Sequence, residues 1–535
     1  MIADTVLLSE CIFTGCKPSI IQGYVAIKDD KILAIGRENY NKFLDFHTKV
    51  IDCGNKTVMP GFHDNHVHFD WGILQQHGVN LWKSNSEDEA AKMVAEYAKT
   101  TKQEIIYGFD WFHMNWDVKN MPTRKSLDLY VRDRPVVLFR FECHGMWLNS
   151  KAIEYFNIKA NDDVPNGGEI YVDEDYIPTG YLHESATFSL YDKGLIPKKN
   201  EKQYYKELLQ VFASYGITAL SNIQLADTIN YDILKEMEES DELNIRFGFS
   251  IPLDYSIEYV KKYKNFTSDN LYFLGFKTFM DGTILGFTAD LLKPYTNNKY
   301  TTNINPVDYN MIRKLFLEAD KNGFRVRFHA IGDRAIRQTL DFCEEAIHRN
   351  AKRDSRHSIA HIELLDPNDL HRFNELDVLA DIHPHHITLD ADQYENLTYP
   401  TFVGERERQC FAFKSILDAK AKYAIGSDYP VTMPNPFIGI YRAITRRFDD
   451  HQPVNGWIPE EKLNLYDTLL GYTKGSAYHN FMEDKIGTLE VGKYADIVVT
   501  EKNLFECDAL EIKNMKVEMT IFNGKIVYQH GSSSA

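Results

Sequence analysis

The feature that most constrains this chain of 535 residues is an alternation through its middle. Eight short β-rich runs occur there: "GFHDNHVHF", "ITALSNI", "NIRFGFSI", "LYFLGFKTF", "FRVRFHAIG", "HSIAHIELL", "DVLADIHP" and "KYAIGSD". Most are separated by amphipathic stretches such as "EKQYYKELLQVFASYG", "NYDILKEMEESDEL", "DYNMIRKLFLEADKNG" and "RAIRQTLDFCEEAIHRN". Eight β/α units of this kind imply an α/β fold with a closed (β/α)₈ barrel. A doubly wound sheet would show the same periodicity.

The two ends read differently. "DTVLLSECIFTG" and "GYVAIKDDKILAIG" near the start, and "IGTLEVGKYADIVVTEKN" and "VEMTIFNGKIVY" near the end, alternate apolar and polar residues between turn signals. Two β-rich ends around a different middle predict one small β-sandwich domain built from residues 1–59 and 481–535. The barrel is then assigned to residues 60–73 and 181–480. Residues 74–180 break the β/α rhythm, are rich in Trp and Tyr, and carry their own strand, "RPVVLFRFECHG". They read as an α/β insertion after the first barrel strand, capping the face where barrel active sites lie. The terminal "GSSSA" reads as linker or tag sequence and carries no argument.

Charge and cysteine content narrow the partners. Sixty Lys and Arg against 77 Asp and Glu leave a net charge of −17, which argues against nucleic acid or an anionic membrane, both of which select basic surfaces. No run approaches the roughly 18 apolar residues of a membrane span. Seven scattered cysteines with no CxxC pair suit a reducing compartment, with neither a disulfide framework nor a thiolate metal cage. The N-terminus lacks a basic region ahead of its apolar residues. The expectation is a cytoplasmic protein acting on a small molecule, with a homodimer left open.

The chemistry concentrates in "PGFHDNHVHFDWG". Side chains of a strand alternate faces, so His66 and His68 point the same way and are spaced to chelate one metal ion. An isolated HxH is a weak signal. Other runs, however, end in residues of ligand type: His329, His361, Asp428, and Lys277 followed by Asp281. Singly, each has a plain structural reading; His329 could be a core histidine and Asp428 a helix cap. Together they converge on the C-terminal rim of one barrel. A set rich in His and carboxylate without cysteine suits Zn²⁺, with Mn²⁺, Fe²⁺ and Ni²⁺ as lesser candidates.

With these residues in view, "PGFHDNHVHF", "FKTFMDGTILGFTADLLKPY", "FHAIGDRAI", "HIELL" and "GSDYPV" resemble the amidohydrolase superfamily, in its amidohydrolase-3 or YtcJ-like branch, which includes N-substituted formamide deformylases. "ECHGMWLNSKAI", "GYLHESA" and "GKYADIVV" extend the resemblance almost end to end. The resemblance implies a distorted (β/α)₈ barrel and a metal-activated hydroxide that cleaves an amide or formamide C–N bond. It implies that His66, His68 and Asp428 hold one ion, that His329 and His361 hold a second, and that a carboxylated Lys277 bridges them; an uncarboxylated lysine would leave one ion. Asp428 then serves as base and afterwards as acid. His144 is placed to meet substrate or metal, Asp281 to shape the rim, Asp333 and Arg334 to support His329, and Glu184 to support the site from behind. His63 departs from the aliphatic residue common in such proteins, and "DIHPHHITLD" carries extra histidines, so His63, His383, His385 or His386 could perturb the site or donate to substrate. Rival readings at the same site are an ester hydrolase, a heterocycle deaminase and a non-catalytic sensor.

Overall fold

The computed structural model describes residues 1–17, 19–164, 167–196 and 198–531. The last four residues of the "GSSSA" stretch lie outside them. The eight expected runs form eight strands: β1 (Phe62–Val67), β2 (Ile217–Ile223), β3 (Arg246–Pro252), β4 (Leu271–Phe279), β5 (Val326–Ala330), β6 (Ser358–His361), β7 (Leu379–Ile382) and β8 (Tyr423–Ile425). Each pairs in parallel with the next in sequence, from β1 to β8. A parallel bridge between Val67 and Tyr429, just past β8, brings the ends of the sheet together. The chain is therefore a nearly closed eight-stranded parallel barrel, not an open doubly wound sheet. Every residue of β2 is buried, as expected of a parallel strand covered on both faces.

The helices between the strands follow the apolar spacing. Asp333–Asn350 buries Ile336, Leu340, Cys343 and Ala346, which recur at helical intervals on one face. Tyr309–Lys321 starts where the Asp308 carboxylate accepts the backbone N–H groups of Asn310 and Met311. It buries Ile312, Phe316 and Ala319, and it ends at Gly323, whose φ of +82° suits a residue without a Cβ. Phe316 meets Phe328 of β5 edge to face at 5.0 Å, which ties the helix to the barrel wall. Each such apolar side chain contributes roughly 1.5–3 kcal/mol by leaving water.

Both termini enter one further eight-stranded sheet. There Thr57–Pro60 from the N-terminal part lies between Thr5–Phe13 and Ile497–Thr500 from the C-terminal part. A third sheet of six strands runs from Gly78–Asn80 to Glu169–Val172 in space and includes Pro178–His183. Trp111, Trp116, Trp147 and Tyr181 pack in its own core. Trp111 and Trp116 are thus framework of this sheet. No described helix is long and apolar enough to cross a membrane.

Candidate metal centre

The strand ends deliver side chains to one buried point. His66, on β1, and His68, directly after it, reach Asp428 Oδ1 with their Nε2 atoms at 3.4 and 3.2 Å. The period-two spacing of a strand thus places both imidazoles against one carboxylate. His68 is held in turn by Nδ1 at 2.7 Å from the carbonyl of Ile223. Asp428 follows β8 and has a φ of +62°, in the left-handed region that a non-glycine residue enters at a cost of about 1–3 kcal/mol. His361, at the end of β6, has a φ of +78°. Its Nδ1 lies 3.9 Å from Asp428 Oδ2, and His386 Nε2 lies 3.3 Å from the same oxygen.

Asp428 therefore stands between two buried donor sets: His66 and His68 on one side, His361 and His386 on the other. A third set joins His66 to Asp381 and His383. Several of these atoms have no hydrogen-bond partner: both ring nitrogens of His361, Nε2 of His383 and His386, and Asp428 Oδ1. Leaving so many buried polar atoms unmet is costly, and a cation is what neutral imidazole and carboxylate donors in common lack. The donor set fits one or two divalent metal ions.

The electrostatics of the donors divide: burial opposes charge on His386, but Asp428 and Glu363 outweigh it and raise its pKa to about 9. Burial pushes His66, His329 and His361 well below the usual imidazole range, so they stand as neutral donors. Burial alone would raise the Asp428 carboxyl, but His66, His386 and His68 outweigh it and hold it well below the usual carboxylate range. Burial lowers Lys277 to about 7. Its Nζ lies 3.5 Å from His66 Nε2, so β4 brings the lysine to the edge of the cluster.

The other expected residues fall into two groups. His144 Nδ1 is 2.6 Å from Glu184 Oε2, and the other oxygen of Glu184 accepts from Thr288. The His144 ring lies 5.4 Å from that of His329, which in turn lies 4.2 Å from that of His361. His329 Nε2 turns toward the carbonyl of Gly282 at 3.2 Å and joins none of the three-donor sets among the described residues. Asp281 accepts the backbone N–H groups of Asp290, Ile331 and Gly332 and so braces the rim. Asp333 and Arg334 do not reach His329. Asp333 accepts from the backbone of Leu292, and Arg334 donates to the carbonyls of Leu291 and Leu292, so both shape the loop after β4. His63 lies away from the donors, against Asn480 and Ser221, and His385 turns to the carbonyl of Asn435.

Three supporting residues were not legible as such in the sequence. Asp381 on β7 meets His66 Nδ1 at 3.1 Å and also accepts from Asn65. Glu363 meets His386 Nδ1 at 3.1 Å and accepts from Tyr399. His386 itself stood out only within "HPHH". A buried aspartate inside an apolar strand was the one available signal for Asp381.

A parallel barrel with histidines and an aspartate gathered at its C-terminal rim defines the metal-dependent hydrolase class of barrel proteins. The chain belongs to the amidohydrolase family, whose model matches residues 49–528. It is similar to the Protein LONG AFTER FAR-RED 3 of Arabidopsis thaliana, 26% identical over 99% of this chain and 92% of that one. It is likewise similar to the putative amidohydrolase YtcJ of Bacillus subtilis, 26% identical over 90% and 91%. An N-substituted formamide deformylase of Arthrobacter pascens is 22% identical over 91% of each chain. Among solved structures, an uncharacterized metal-dependent hydrolase from Pyrococcus horikoshii shares the fold, with a TM-score of 0.76, 23% identity, and coverage of 95% of this chain and 98% of that one.

Proposed function

We propose that this protein hydrolyses an amide- or formamide-type C–N bond of a small molecule with the help of one or two divalent ions, Zn²⁺ first among them. The observation that carries the reading is Asp428, buried between two histidine sets, with its own Oδ1, both ring nitrogens of His361 and Nε2 of His386 lacking partners. A divalent ion held there supplies Lewis acidity, which polarises a carbonyl and lowers the pKa of water to about 7.

The chain's own residues supply the rest. His66, His68, His361 and His386 hold the charge in place, and Asp381 and Glu363 orient His66 and His386 through their other ring nitrogens. Asp428 takes the proton of the attacking water at one oxygen and delivers it to the leaving nitrogen, as base and then acid. His144, fixed by Glu184, donates to the substrate carbonyl or the leaving group. Burial lowers Lys277 to about 7, which favours the neutral amine, the form that would add CO₂ to give a carbamate able to serve as a further oxygen donor. All seven cysteines are free, which supports a reducing, cytoplasmic setting.

The test pairs metal analysis with a panel of formamides, N-acyl amines and cyclic amides, alongside matched esters and aminated heterocycles. Metal-dependent turnover of amides ahead of the esters is expected. Turnover of esters or heterocycles alone would replace the C–N reading, and bound metal without any turnover would favour a sensor.

A further inference from the structure

The metal donors border a chamber of about 20 Å³, the size that one water molecule needs. His144, His361, His386 and Asp428 line it, and so do three apolar residues, Phe141, Leu389 and Val431. The same three line a second and larger space, a cleft of about 500 Å³ where the insertion sheet faces the loops after β7 and β8. The cleft opens to solvent at Asn80, Lys83, Asp392 and Met433, which are exposed, and reaches inward to Phe141, which is buried. The opposite side of the barrel mouth lacks this continuity. A cavity of about 150 Å³ at the ends of β2, β3 and β4 shares no lining residue with the chamber among the described residues.

The three shared residues come from three separate segments. Phe141 follows the insertion strand Val136–Arg140. Its N–H donates to the carbonyl of Trp111 at 3.1 Å, and its ring lies 4.3 Å from that of Phe112. Leu389 follows the histidine run after β7, and its N–H donates to the carbonyl of His386 at 3.1 Å. Val431 lies past β8, and its N–H donates to the carbonyl of Asp428 at 2.8 Å. Two of the three are thus tied by backbone to the very donors they screen, and the third is tied to the framework of the insertion. Widening the passage on the donor side would displace His386 or Asp428, and close-packed surroundings resist such a shift.

We propose that substrate reaches the metal centre through this cleft, and that Phe141, Leu389 and Val431 form an apolar collar that decides which amides fit. The naming of a substrate rests on the hydrolytic reading above. The reacting carbonyl passes the collar. The group on its inner side lies in the small chamber and is no larger than hydrogen, methyl or amino, whereas the group on its outer side keeps its bulk in the cleft. The substrate class is therefore an amide that is small on one side of the carbonyl: an N-substituted formamide or acetamide, or the primary amide of a larger acid. Amides bulky on both sides are excluded.

The experiment titrates metal-loaded protein calorimetrically with hydroxamic acids, which bind metal through a carbonyl that carries two sides like an amide. Benzohydroxamic acid has its bulk on carbon, N-phenylacetohydroxamic acid has it on nitrogen, and N-phenylbenzohydroxamic acid has it on both. At least one of the one-sided probes should bind, and the tighter of them tells whether the acid or the amine part lies in the cleft. The two-sided probe should bind more weakly than that one by about tenfold or more, the scale of forcing extra atoms into packed space. Phe141→Ala should narrow this gap with metal content unchanged, and the half-buried Val431→Ala decides the matter if the first variant fails to fold. Crystals soaked in the tighter one-sided probe should show its ring in the cleft, against Phe141 and Val431. A ring on the Lys277 and Phe279 side, equal binding of one-sided and two-sided probes, no binding of any probe, or a gap that neither variant narrows would each overturn the proposal. These outcomes are read without amide turnover. One-sided binding without turnover removes only the hydrolytic reading, and turnover of amides bulky on both sides removes only this one.

Discussion

The backbone N–H of Asp428 donates to the carbonyl of His66 at 2.8 Å, and the N–H of His68 donates to the carbonyl of Tyr429 at 2.7 Å. These bonds join the chain after the last barrel strand to the end of the first. The side chains of the same residues meet at the centre, His66 Nε2 to Asp428 Oδ1 at 3.4 Å. Barrel closure and donor geometry thus share residues. The left-handed φ of Asp428 is held by this closure, and it aims a carboxylate that an ordinary strand continuation would carry elsewhere.

Metal content follows from that arrangement. His66→Ala removes an imidazole that takes part in two donor sets. Metal affinity, measured by competition with a chromophoric chelator, should fall by more than the roughly 10–100-fold typical of losing an outer partner. A His66→Ala, His68→Ala double variant that keeps full metal occupancy would remove this centre from consideration.

Asp381 is an outer partner of that kind. It is fully buried, holds His66 Nδ1, and lies 3.4 Å from the Arg327 guanidinium. That contact leaves His66 Nε2 as the free donor. Asp381→Asn keeps the volume but cannot hold the Nδ1–H tautomer as well. Its metal affinity should fall about 10–100-fold while the far-ultraviolet dichroism stays that of the unaltered protein. An unchanged affinity would reduce Asp381 to a purely structural carboxylate.

The contrast between His66 and Asp381 shows what could be read from sequence. His66 and His68 belong to a strand whose period of two fixes their common face, and the alternation of strands and helices placed that strand in a barrel. His386 and Glu363 lie beyond strand ends, where no periodicity says which way a side chain points. "HPHH" offered three histidines, of which His385 turns to the Asn435 carbonyl and His386 to Asp428. Asp333 and Arg334 misled for the same reason. They are close to His329 in sequence, but the helix they begin directs them at the 290–292 loop.

The His144–Glu184 pair should leave a mark on stability against pH. Burial alone would raise the Glu184 carboxyl, but His144 outweighs it and lowers it from 4.5 to about 2. Burial opposes the charge on His144, yet Glu184 holds its pKa above 6.5. The Glu184 contribution is present above about 4.5 and is lost as pH falls toward 2. The His144 contribution is complete below 6.5 and is lost as pH rises through the higher folded value. The pair is therefore most stabilising between 4.5 and 6.5. Glu184→Gln should lower the urea midpoint more at pH 5.5 than at pH 8.5. Equal losses at both would mean the pair is not charged in the folded protein.

Packing between helix and barrel can be tested away from the site. Phe316 is fully buried against Phe328 and His357. Phe316→Ala should cost about 3–5 kcal/mol in urea unfolding. Metal content should be unaffected, since no donor touches that helix. A loss below about 1 kcal/mol would mean the cavity collapses without consequence.

Asp428→Asn separates holding the metal from moving the proton. Asparagine keeps the size of aspartate and one oxygen able to face the His66 and His68 side, but it cannot take up and release a proton. Metal affinity should fall moderately, whereas kcat on a responsive amide should fall by about 10²-fold or more, the scale of lost general acid–base catalysis. KM should move less, because the lost function is proton transfer in the transition state rather than ground-state binding. Measuring kcat with metal occupancy confirmed in the same sample keeps the two effects apart. If the fully loaded variant retained near-normal kcat, Asp428 would be a ligand only. The proton would then have to pass through the other carboxylate-held imidazoles facing the centre, His144 on Glu184 or His386 on Glu363. Glu363→Gln would distinguish them, since it alters the partner of His386 and leaves His144 untouched.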